Sequence, residues 1–73
     1  MNKEKIIDFI CASINRRIYQ MNYEQEKQVR EFLEGSLFNG KLTEGESDSL
    51  ANMLDVNENC IFNVLTDCEV IEE

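Results

Sequence analysis

The stretch from Glu46 to Thr66, ESDSLANMLDVNENCIFNVLT, constrains the fold of this chain more than any other. Leu50, Ala51 and Leu54 fall at helical spacing, Asp55-Val56-Asn57 interrupts them, and Ile61, Val64 and Leu65 resume the same period. Two short helices that share one apolar wedge satisfy this pattern.

Two further helices precede this pair. Asn2 is positioned as an N-cap, and Ile7, Ile10, Cys11, Ile14, Ile18 and Met21 recur at three- and four-residue steps as one apolar stripe. Ile6 and Phe9 widen that stripe, either by packing on the core or by facing a second subunit or partner. Asn22 with Gln25 makes a capping box for a helix with Val29, Phe32, Leu33 and Leu37 on its buried side. Gly35 within it marks either a close crossing with the first helix or an early end, and Asn39-Gly40 reads as the stop. Thr43 and Glu46 form another capping box and open the third helix, which carries Leu50, Ala51, Met53 and Leu54 inward. The expectation is one all-α domain over residues 1–73, with helices at about 2–20, 23–38, 44–54 and 58–66. The predicted core is Ile7, Ile10, Cys11, Ile14, Ile18, Val29, Phe32, Leu33, Leu37, Leu50, Ala51, Leu54, Val56, Ile61 and Leu65. The tail DCEVIEE is either a frayed end or a short extension that docks on the core.

The C-terminal pair, residues 46–66, resembles the helix-turn-helix unit of bacterial and phage transcription regulators. Leu50, Ala51, Leu54, Val56, Ile61 and Val64 occupy the six positions that such units keep apolar or small. The resemblance implies that the second helix of the pair is the reading helix. Two departures stand out: Asp55 holds the turn position that is usually Gly, and the reading surface offers Asn57, Glu58, Asn59, Phe62 and Asn63 without any Lys or Arg.

The distribution of charge sharpens that second departure. Of the net −8, residues 1–41 hold all seven basic residues against six acids, whereas residues 42–73 hold nine acids and no base. Cations that displace phosphate counterions supply most of the non-specific free energy of DNA binding. An anionic reading surface is repelled instead, so direct DNA binding is disfavoured.

Catalysis, cofactors and metals are not expected. The chain has no His, no recognisable nucleophile setting and no Gly-rich phosphate loop. The acids at 44, 46 and 48 lack the alternating ligands of a calcium loop. Cys11, Cys60 and Cys68 are an odd number without metal-ligand spacing and read as small apolar residues in a reducing cytosol. Ile6 to Ile18 is broken by Asp8, Asn15 and Arg16, so it is not a signal peptide, and no apolar run approaches the roughly 20 residues of a membrane span. The expected protein is soluble and cytoplasmic.

Binding remains. The favoured reading is a small acidic regulator that contacts a transcription factor, nucleoid protein or polymerase through a basic partner surface. The contact residues would be Glu58, Asn59, Phe62 and Asn63, with Asp48 and Asp55 beside them. Alternatives are a phage or mobile-element inhibitor that mimics nucleic acid with Glu44, Glu46, Asp48, Asp55, Glu58, Asp67, Glu69, Glu72 and Glu73, a helix-turn-helix repressor, and a secretion chaperone. The wide apolar stripe of the first helix suggests a homodimer.

Overall fold

The computed structural model describes residues 2–72. It is all-α, with helices α1 Lys3–Arg17, α2 Tyr23–Ser36, α3 Glu44–Leu54 and α4 Glu58–Asp67. Its accessible surface of 4665 Å² matches the roughly 4,700 Å² that a folded monomer of this mass exposes. The core therefore closes within one chain.

Each helix starts at a side-chain cap. Asn2 accepts the Lys5 N–H at 2.8 Å, Asn22 and Gln25 cap each other's backbone, Thr43 and Glu46 do the same, and Asn57 accepts the Asn59 N–H at 2.8 Å. These bonds satisfy amide groups that have no partner within the helix.

The helix ends differ from expectation in two places. α1 stops at Arg17 rather than near residue 20. The Asn15 side chain accepts the Met21 N–H at 2.8 Å and donates to Glu26 at 3.1 Å, which turns the chain early and buries Met21. α2 stops at Ser36 rather than 38. Phe38 and Lys41 instead exchange two backbone hydrogen bonds, 3.0 and 2.9 Å, around Asn39 and Gly40, both at positive φ. Asn-Gly with two positive φ angles is a hairpin turn, and it leaves Phe38 75% exposed at the tip. Gly35 marks no helix crossing, because a Cβ placed on it meets nothing within 4 Å.

α3 and α4 make the most extensive contact between elements, and both end the same way. Asp55 takes a left-handed conformation (φ 55°), its N–H donating to the Asn52 carbonyl at 3.2 Å and the next N–H, of Val56, to Ala51 at 3.0 Å. Glu69 (φ 61°) repeats the motif on α4, with bonds to Thr66 at 2.9 Å and from Val70 to Leu65 at 3.1 Å. This paired termination usually employs Gly. Here two acids bear the steric cost of that conformation.

The tail docks rather than frays. The Leu42 N–H donates to the Val70 carbonyl at 2.6 Å and the Glu72 N–H to Leu42 at 2.8 Å, pairing Leu42 with Ile71 in parallel. Lys41 Nζ donates to the Glu69 carbonyl at 2.7 Å, and Val70 is buried.

The buried core holds Ile7, Ile10, Cys11, Ile14, Val29, Leu33, Leu37, Leu50, Ala51, Leu54, Ile61 and Leu65, to which the structure adds Met21, Leu42, Val64 and Val70. Ile18, Phe32 and Val56 cover it from the side as half-buried residues. Met53 does not point inward; it is 36% exposed, because it lies about 100° around the helix from the buried Leu54. Ser13 and Ser47 are the buried polar residues among those described, and Ser47 Oγ has no hydrogen-bond partner there.

Candidate functional site

The tight turn at Asp55 packs α4 against α3 in the most extensive contact between elements. Between them lies an open depression of about 360 Å³, lined by Glu44, Asp48, Glu58, Asn59 and Phe62. Glu44 and Asp48 sit one helical turn apart on α3. Glu58 and Phe62 have the same spacing on α4, with Asn59 beside them. Glu44 and Glu58 occupy the first turns of their helices, where the positive end of the helix dipole favours a carboxylate.

Phe62 is half-buried, yet it is not among the side chains packed against the core. It shares the depression's lining with three carboxylates and an amide, and with no cation. A guanidinium or ammonium group suits such a site, since an aromatic face attracts a cation and the carboxylates neutralise it.

Four of the six contact residues expected from the sequence, Asp48, Glu58, Asn59 and Phe62, thus come together, and Glu44 joins them. Asn63 does not. It faces round α4 towards α1 and lines a separate depression of about 310 Å³ with Arg17, Ile18, Cys60 and Val64. Asp55 is exposed at the turn, outside both linings. Glu44 is recoverable from sequence by its four-residue spacing from Asp48.

The remaining acids of the C-terminal half are dispersed. Glu46 caps Thr43, and Asp67 pairs with Arg17 at 2.6 Å. Glu69 and Glu72 line a third depression, of about 610 Å³, with Lys41, Thr66 and Ile71. Glu73 lies outside the described residues.

The cysteines are separate from one another in character. Burial pushes the Cys11 thiol up to about 11, with the nearby Arg30 opposing this in part. Cys68 is half-buried with its Sγ 3.5 Å from Ser13 Oγ, and Cys60 is exposed. Among the described residues no group of three His, Cys, Asp or Glu is placed to hold a metal ion, and no helix is long and apolar enough to cross a membrane. Comparison with protein-family models, with curated proteins and with solved structures finds no match for this chain.

Proposed function

We propose that this protein is a non-enzymatic cytoplasmic regulator that acts by protein–protein contact, using the depression between α3 and α4 to dock a basic partner surface. The partner class is a transcription factor, nucleoid protein or polymerase. The observation that carries this reading is the placement of Phe62, which is not packed against the core and lines one depression with Glu44, Asp48 and Glu58. An aromatic side chain in a desolvated pocket commonly dominates the energy of an interface. The acids around it steer a cationic partner and raise its rate of encounter.

The α3–α4 pair resembles a helix-turn-helix unit, and its second helix offers Glu58, Asn59 and Asn63 where a DNA reader needs cations. Its charge favours a protein over an operator. Dispersal of the acids over two depressions, an ion pair and a cap supports the same reading over mimicry of a continuous phosphate strip.

The test starts with tagged protein used to capture partners from bacterial lysate, with and without nuclease, followed by calorimetry on the purified pair. Phe62→Ala is expected to weaken binding by more than about 1 kcal/mol while leaving the melting temperature nearly unchanged. Recovery of specific DNA without a stoichiometric protein overturns the proposal. So does a Phe62→Ala chain that binds normally.

A further inference from the structure

The outer side of α1, turned away from Ile7, Ile10, Cys11 and Ile14, carries Lys5, Phe9, Ala12 and Arg16 in one stripe. All four are exposed, Phe9 by 52%. Their spacing of four, three and four residues aligns them along one helix face, with the two cations roughly 16 Å apart and the ring between them. Most other bases are engaged: Arg17 pairs with Asp67, Arg30 with Asp8 and Glu26, and Lys3 and Lys41 hold carbonyl groups. Lys5 and Arg16 make no ion pair among the described residues.

We propose that this stripe is a docking ridge, and that its occupant is the α3–α4 depression of a second copy of this chain. The inference rests on reading that depression as a contact face. The complementary chemistry is already present on the molecule. Phe9 meets the wall formed by Phe62, Lys5 and Arg16 meet Glu44, Asp48 and Glu58, and Ala12 leaves room for the approach. A symmetric pairing of α1 with α1 is disfavoured, because it gathers four cations on a stripe that holds no carboxylate.

Ridge-to-depression contact is heterologous, so each added copy leaves one ridge and one depression open. Each copy also adds a net charge of −8, and the accumulated repulsion limits growth to short oligomers. Self-association then competes with the partner for one face, which ties the regulator's availability to its own concentration.

Sedimentation equilibrium tests this at physiological salt, from about 10 μM to about 1 mM, the range that resolves weak self-association. The mass of the wild type is expected to rise with concentration. Lys5→Glu/Phe9→Ser removes the ridge and Asp48→Lys/Glu58→Lys reverses the charge of the depression; each variant alone stays monomeric and helical by circular dichroism. Mixed together, the two form a 1:1 dimer that grows no further, since one retains the depression and the other the ridge. A wild type that is monomeric throughout overturns the proposal, as does a ridge variant that still associates or a mixture that stays monomeric. Partner binding by a monomeric wild type, lost in Asp48→Lys/Glu58→Lys, would leave the proposed function standing while this inference fails.

Discussion

Replacement of Ser47 by Ala should stabilise the protein. Ser47 is the fourth residue of α3 and is fully buried; its N–H bonds the Thr43 carbonyl at 3.0 Å, but its hydroxyl has no partner among the described residues. A buried hydroxyl left unpaired costs about 1–3 kcal/mol in lost solvation. Ala also gains a few tenths of a kcal/mol in helix propensity over Ser. Against this stands the packing of a single oxygen atom, worth several contacts of about 0.1–0.2 kcal/mol each. The net expectation is a gain of about 1–2 kcal/mol, which raises the melting temperature of a domain this size by roughly 4–8 °C per kcal/mol. Thermal and urea unfolding followed by circular dichroism measure it. Ser13→Ala is the control, because Ser13 is equally buried but its Oγ accepts from Cys68 at 3.5 Å; that variant should gain less or lose stability. A Ser47→Ala chain that melts below the wild type refutes the reasoning and shows that the hydroxyl is bonded.

Four other expectations follow from the backbone and the thiols. Gly35→Ala should add about 0.5–1 kcal/mol, because its Cβ enters open space on a helix; a lower urea midpoint would mean that Gly35 is not helical. Glu69→Gly relieves a non-glycine residue at φ 61° and removes an acid from the negative end of α4, for a gain of about 1 kcal/mol; no change in unfolding would place the relief elsewhere. Cys60 should react with a thiol reagent at pH 8 well before Cys11, whose thiol, pushed up to about 11, is only about one part in a thousand ionised there. The raised value also fixes a sign. The folded state holds that proton more tightly than the unfolded one, so this contribution is complete below about pH 9 and fades as pH climbs towards 11. Mass spectrometry of partially labelled protein reads the first effect, and comparison of Cys11→Ala with the wild type in alkaline unfolding reads the second.

Much of the helical frame is written in short-range chemistry. Asn2, Asn22, Thr43 and Asn57 each precede a periodic apolar run, and each caps a helix as its side chain predicts. What escaped was non-local or ambiguous. Asn39-Gly40 is both a plausible helix stop and the strongest short hairpin signal; only the exchange between Phe38 and Lys41 decides between them. Val70 lies between acids in a tail with no period, and its burial depends on Leu42, far away in sequence. Ser47 is polar, and helical phase alone brings it to the buried face of α3 with Leu50, Ala51 and Leu54. At the candidate site, periodicity brought Glu58, Asn59 and Phe62 to one side of α4. It also puts Asn63 beside Asn59, four residues on; that Asn63 lines a different depression depends on where the end of α1 places Arg17 and Ile18.

The pairing of Leu42 with the tail also orders the assembly of the chain. In an unfolded chain, joining residue 42 to residue 70 closes a loop of about 30 residues, at an entropic cost on the order of 3 kcal/mol. Two backbone bonds and one buried valine do not by themselves outweigh that cost by much. Once α3 and α4 have packed and their outer ends already lie together, the same closure needs almost no further ordering. The clasp is therefore the last part of the α3–α4 half to form and the first to open, and its opening exposes the Leu65 end of α4 before the wedge between the helices loosens.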